Sequence, residues 1–168
     1  MRHIPLLITT LSFSLIIYGQ GTNLDTKLSL RDSTLLNEFW RNLRTSVSTR
    51  DKVKLEAICE FPFYCRPCTN DTTLKHNDHV TIKVTRKIFR ESQYRFFFDS
   101  TIRNEVNKHE SFDKYIFRAV SDENNKPDGF TFPYTIVAPS DKWEGLQGFI
   151  YLKIKGNRYK ITGIDTVP

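Results

Sequence analysis

The chain lacks the local signatures of the commonest catalytic proteins. There is no G-x-S-x-G, no P-loop and no H-E-x-x-H, so a hydrolase elbow, a phosphate-cradling glycine loop and a zinc-protease helix are excluded as motifs. Glycine and proline are sparse, at 7 each in 168 residues, which excludes a collagen-like or low-complexity chain. Beyond the N-terminus no apolar run approaches the roughly 20 residues that cross a bilayer. Charge is not gathered into blocks: 25 basic and 19 acidic residues are interspersed, for a net charge of +6. A thin, scattered surplus serves solubility and gives no nucleic-acid footprint. The densest basic stretch holds Lys83, Arg86, Lys87, Arg90 and Arg95. It reads as a solvated helix face, with Lys83, Lys87 and Arg90 aligned at i, i+4 and i+7.

What is present in quantity is aromatic. Thirteen Phe and 7 Tyr supply the large apolar groups that disordered chains lack, and the length allows one domain. Residues 1–20 read as a secretory signal: Arg2 is the charged start and Ile4 to Ile17 the apolar stretch, with small residues at Gly19 and Gly21. Loss of Arg2 with this segment takes the charge from +6 to about +5. The expectation is an exported protein, periplasmic or secreted, with a mobile polar lead-in over 21–32 and one domain over 33–168. After cleavage no membrane span remains.

An exported chain can hold disulfides, and three cysteines leave one over. Cys65-Arg66-Pro67-Cys68 is a C-x-x-C. A redox motif of this kind follows a buried strand and opens a helix, which lowers the first thiol's pKa. Here the preceding LEAICEF reads as helix and the following TNDTTLKHND is polar and aperiodic. A zinc site from Cys65, Cys68, His76 and His79 is the other alternative, but its ligand spacings fall short of those usual for zinc. The favoured reading is a loop-stapling disulfide, Cys65–Cys68, or Cys59 to one of them. No metal or cofactor is expected. Asn70-Asp71-Thr72 matches the N-glycosylation pattern and is read as coincidence.

Periodicity divides the chain in two. Ser33 or Thr34 is expected to cap a first helix carrying Leu36, Phe39, Trp40, Leu43 and Val47 on one face. A short second helix follows, with Val53 and Ala57 inward alongside Leu55 and Ile58, ended by Phe61-Pro62-Phe63. Val80, Ile82 and Val84 alternate as a short strand. Thr85 opens a third helix with Ile88, Phe89, Phe96 and Phe97 inward, and Asp99 to Val106 adds another. From about residue 112 the period is two. Strands are expected around Tyr115–Val120, Phe130–Ala138, Leu146–Ile154 and Tyr159–Asp165, with a hairpin at Gly156-Asn157. Helices followed by a strand meander predict an α+β domain, its N-terminal helices packed on a mainly antiparallel sheet.

The runs FWRNLRTSVSTRDKVKLEAICEFPF, VTRKIFRESQYRFFFDSTIRNEV and GFIYLKIKGNRYKITGIDT resemble small secreted bacterial domains of the nuclear transport factor 2-like family. The resemblance spans most of 33–166 and implies a cone: a curved sheet wrapped around a long helix, leaving a pocket. That fold hosts isomerases, dehydratases, carriers and structural modules, so it does not choose a function. The loop of the cysteines has no counterpart in the family pattern.

Acid–base candidates are Asp99, His109 and Asp113, with Asp99 or Asp113 pairing His109 in a dyad. Trp40, Phe61, Phe97, Tyr134 and Trp143 are candidates for lining a ligand pocket, although aromatics in helical or strand phase more often fill cores. The favoured function is a non-catalytic module binding a protein or a small molecule, with homodimerisation open. A lyase or isomerase using a pocket carboxylate or histidine is the first alternative, and a thiol-disulfide or zinc protein the second.

Overall fold

In a computed structural model of the protein, the described residues are 28–68, 81–110, 116–120, 127–142 and 144–167. The segment 1–20 expected to be a signal, most of the expected lead-in 21–32, and Asn70, His76, His79, Asp113 and Trp143 lie outside them.

Helix α1 (Leu30–Thr49) starts earlier than the sequence reading placed it. Ser29 is the N-cap: its Oγ accepts from the Asp32 N–H at 3.0 Å and donates to Asp32 Oδ2 at 2.7 Å. This reciprocal pair satisfies an otherwise orphan donor, so Ser33 and Thr34 lie inside the helix. The predicted stripe Leu36, Phe39, Trp40, Leu43 and Val47 is buried throughout. The helix ends with Arg50 in the left-handed region at φ 55°, while Asp51 N–H returns to Ser46 O at 2.8 Å. That closure satisfies a terminal carbonyl.

Asp51 caps the short α2 (Lys52–Ala57). Leu55 and Ile58 are buried as expected, but Val53 is 78% exposed and Ala57 is exposed too. One turn and a half of helix offers a single line to the core, and Leu55–Ile58 takes it. Strand β1 (Cys59–Cys65) follows directly, where the sequence reading ended a helix and began a loop. Pro62, preceded by a cis peptide bond, hides its strand character, since proline cannot donate to a ladder. The strand forms because it pairs in parallel with β6, a hundred residues away in sequence. The C-x-x-C therefore follows a strand after all, contrary to the sequence expectation.

Beyond β2 (Ile82–Val84), Thr85 caps α3 (Arg86–Ile88), accepting from Ile88 N–H at 3.3 Å. A π-helical turn (Phe89–Gln93) then leads into α4 (Tyr94–Phe98), and Asp99 caps α5 (Ser100–Lys108). Lys83 sits on β2, so the proposed basic helix face loses its first member. Arg86 and Arg90 converge on Glu56, each at 2.7 Å, tying α2 to the third helical segment. Both guanidinium groups hold the Glu56 carboxyl below its ordinary pKa, Arg90 through its hydrogen bonds most of all.

Strands β3 (Phe117–Val120), β4 (Pro127–Val137), β5 (Leu146–Lys155) and β6 (Arg158–Val167) complete one sheet, ordered β2-β1-β6-β5-β4-β3. Every pairing is antiparallel except β1–β6. Register shifts occur in β1–β6, β3–β4, β4–β5 and β5–β6, and such bulges bend strands and deepen twist. The curved sheet turns one face to the helices, and alternate residues of β4 and β5 (Phe130, Phe132, Tyr134; Ile150, Leu152) meet the α1 stripe there. Trp40 packs on Phe132 at 5.0 Å and donates its indole N–H to His109 O at 3.1 Å, locking α1, α5 and β4 together. The fold is α+β, with N-terminal helices on a mainly antiparallel sheet.

Candidate functional site

Strand direction decides what gathers at each end of the sheet. β1, β4 and β6 run one way and β5 the other, so the C-terminal ends of the first three lie beside the start of β5. That end brings together Tyr134, Gly148, the Cys65–Cys68 turn, and Arg66 with Asp165. The disulfide joins Cys65 and Cys68, with Cα atoms 5.4 Å apart, and both residues are buried. Cys59 is the cysteine left over. It is fully enclosed, its Sγ 3.4 Å from Leu55 O, and burial pushes its thiol pKa far up. A protonated, enclosed thiol is unreactive.

Arg66 holds the end of β6 from outside. Its Nη1 donates to Thr166 O at 3.1 Å, and its Nε lies 2.9 Å from Asp165 Oδ1 as an ion pair without hydrogen-bond alignment. On the inner face Tyr134 is 3% exposed, and its hydroxyl has no hydrogen-bond partner among the described residues. Burial foremost, and then the Asp165 charge, push its pKa well above the ordinary tyrosine value, so it stays a protonated phenol at neutral pH. Gly148 makes room for it: a Cβ there would stand 2.0 Å from Tyr134 Cζ. Phe96 packs edge-on against the Tyr134 ring at 6.1 Å between centroids.

Phe96 is also a wall of a cleft of about 310 Å³ between the cysteine turn and the π-helical turn. Pro67 and Cys68 form one side, Ser92, Gln93, Arg95 and Phe96 the other, and Asp99 the rim. The π turn shapes this wall, and single π turns recur at functional sites. The cleft offers amide, hydroxyl, guanidinium and carboxylate groups beside one aromatic ring. This suits the recognition of a small polar molecule with a flat part.

The acid–base candidates do not converge. Asp99 caps the start of α5, accepting from Thr101 N–H at 2.8 Å, while His109 stands at its far end. The nine residues of α5 lie between them, so they stand ten steps apart, about 15 Å at 1.5 Å per residue. The dyad of Asp99 with His109 is therefore ruled out by geometry; the one with Asp113 falls outside the described residues. His109 is 7% exposed and its Nε2 lies 3.5 Å from Glu105 Oε2. The sequence reading passed over Glu105, though the i, i+4 spacing within one helix pointed to it. Neither residue lines the cleft at the cysteine turn.

The aromatic candidates divide likewise. Trp40 and Phe97 are buried in the core, Phe97 against Phe89 and Phe96. Phe61 is half-buried between Phe63 and Phe89, with the Arg86 guanidinium 5.0 Å above its ring. Tyr134, like Phe97, stands one ring behind the cleft through Phe96, but it alone of the two carries a polar group there, and Trp143 lies outside the described residues. The sequence reading missed Phe96 and Gln93 as site residues, because only the π turn and the strand directions bring them to the cysteine turn. Among the described residues no three of His, Cys, Asp and Glu cluster as metal ligands, and no helix is long and apolar enough to cross a membrane.

No protein-family model matches the chain. No curated protein matches it. Among solved structures, a designed nuclear transport factor 2-like chain labelled Rd1NTF2_05, in a five-substitution variant, is similar at 11% identity, covering 77% of this chain and 94% of that chain with a TM-score of 0.38. Likeness at that level carries no argument about site or activity.

Proposed function

We propose that this protein is an exported, non-catalytic binding module of the nuclear transport factor 2-like kind, and that its ligand site is the cleft at the cysteine end of the sheet. The observation that carries the reading is the Tyr134 hydroxyl. A buried polar group without a partner costs about 1–3 kcal/mol, and here it stands one ring behind a cleft, in space kept open by Gly148. A ligand group that reaches past Phe96 gives that hydroxyl its partner. The separation of Asp99 from His109 supports binding over acid–base chemistry. Export is supported by the N-terminal sequence and by the Cys65–Cys68 disulfide, which persists in oxidising compartments.

The test is a thermal-shift screen of the purified protein against small polar aromatics, alongside Tyr134→Phe and Gln93→Leu. A ligand at about 100 times its Kd stabilises the fold by about 2.7 kcal/mol. Stabilisation should fall in both variants, while Tyr134→Phe without ligand should be as stable as the wild type or up to about 1 kcal/mol more stable, having lost an unsatisfied hydroxyl. A screen without stabilisers, or stabilisers indifferent to both changes, rejects the reading.

A further inference from the structure

The other end of the sheet has a different chemistry. The β5–β6 hairpin turns at Gly156-Asn157 and carries Lys153, Lys155, Arg158 and Lys160. Lys153 is paired with Asp128. Between the start of β6, α1 and α2 runs a groove of about 190 Å³. Its floor is apolar: Leu35, Phe39 and Ile58, with the Tyr159 ring. Tyr159 is fixed there by donating to Asp32 Oδ1 at 2.7 Å. The two walls are unlike. The α2 and β6 side carries Lys54, Arg158 and Lys160, and the α1 side carries Glu38 and Asn42.

The cations are unequally committed. Lys54 lies 3.4 Å from Asp51 and Lys160 lies 3.6 Å from Glu60. Arg158 is exposed and has no ion pair or hydrogen bond from its side chain among the described residues. A guanidinium is a rigid fork of donors suited to a planar or tetrahedral oxyanion. An apolar floor below three cations favours a ligand with an acidic head and a hydrophobic body, since each part alone gains only half of the contacts. Glu38 across the groove penalises extra negative charge and so selects a singly charged head.

We propose that this groove is a binding site for a small organic acid, with a carboxylate or monoanionic phosphate head on Arg158, flanked by Lys54 and Lys160, and a flat apolar body on Leu35, Phe39 and Ile58. The site is remote from the cleft at the cysteine end and stands or falls independently of it.

The experiment is an amide-shift titration of the full protein by nuclear magnetic resonance at about pH 5, where a phosphate monoester is a monoanion, with benzoate and phenyl phosphate as probes. Benzylamine supplies the same body with the opposite charge, and inorganic phosphate supplies a head without a body. The expected result is saturable shifts at the α1, α2 and β6 residues of the groove with benzoate or phenyl phosphate. Binding should weaken ~10-fold or more in Arg158→Glu and tighten ~2- to 5-fold in Glu38→Gln, the range expected when one charge contact of roughly 1 kcal/mol is reversed or removed. Both side chains are outside the core, and unchanged shifts elsewhere verify the fold of each variant. The proposal is overturned by the absence of saturable groove shifts, by equal binding of benzylamine, or by inorganic phosphate matching phenyl phosphate. It is equally overturned if Arg158→Glu is without effect, or if Glu38→Gln weakens binding.

Discussion

Tyr159 and Asp32 are 127 positions apart and joined by one hydrogen bond of 2.7 Å, which ties the closing hairpin to the first turn of α1. The bond leads the shift of one group and adds to that of the other. Tyr159, then Ser29, hold the Asp32 carboxyl below its ordinary pKa. Burial, then Asp32, push the Tyr159 phenol far up. The Asp32 contribution is present above the unfolded carboxylate value of about 3.9 and is lost as pH falls through the lower folded value. The Tyr159 contribution is present below the unfolded tyrosine value of about 10 and is lost as pH rises toward the raised folded value. Tyr159→Phe should therefore cost about 1–2 kcal/mol at pH 7, as for a hydrogen bond to a charged group. Urea denaturation should show that gap shrinking in acid, as pH falls below the unfolded carboxylate value. A gap that is unchanged there would remove Asp32 from the account. Neither residue drew notice in the sequence: Asp32 sits in what reads as a polar lead-in, and Tyr159 reads as one more strand aromatic.

The elements show where local pattern suffices. The α1 stripe at i, i+3, i+4, i+7 and i+11 is buried as read, because a 3.6-residue period points those side chains one way. Ile154 reads in phase with Leu152 and yet is 40% exposed, since the hairpin runs past the helices that cover the core. The third helix reads as continuous, and its π turn is invisible to pattern. Phe89 and Phe97 are both fully buried. On a straight helix i+8 stands about 80° from i, and one inserted residue reduces this to about 20°. Packing of both rings stabilises the insertion, which sequence cannot supply locally. The α1 terminus offers a direct check. Arg50 is exposed and takes a left-handed φ of 55°, a conformation that costs a side-chain-bearing residue up to about 1 kcal/mol more than glycine. Arg50→Gly should raise stability by several tenths to ~1 kcal/mol in thermal or urea unfolding, and a loss would show that the arginine stem contributes packing.

At the scale of the molecule, the sheet order puts two unlike clefts at opposite ends of one core. The disulfide belongs to the first. Cys65 is a strand residue inside the core and Cys68 a wall of the cleft, so the bridge pins the cleft to the sheet. Closing so short a loop restrains the unfolded chain by only ~2 kcal/mol. The double variant Cys65→Ala, Cys68→Ala should lose about that amount and remain folded, with Cys59 still unreactive to alkylation until unfolding. Intact mass should rise by two hydrogens when the wild type is reduced. A variant that does not fold would make the bridge a condition of the fold, and one that loses nothing would leave it ornamental.

Composition and periodicity by themselves determined the class of the protein: an aromatic-rich α+β domain, helices first, with Leu36, Phe39, Trp40, Leu43 and Val47 in its core; which two of the three cysteines pair was left to the tertiary structure. These follow from spacings of a few residues, where backbone geometry alone dictates which side chains share a face. Only the tertiary structure decided that β1 exists, because its strand is made by pairing with β6 across a hundred residues. The same holds for the separation of Asp99 from His109, which needs the length of α5, and for the placing of Tyr134, Phe96 and Gln93 beside the cysteine turn. Strand direction and long-range pairing set those neighbours, and neither is written in any local run of the chain.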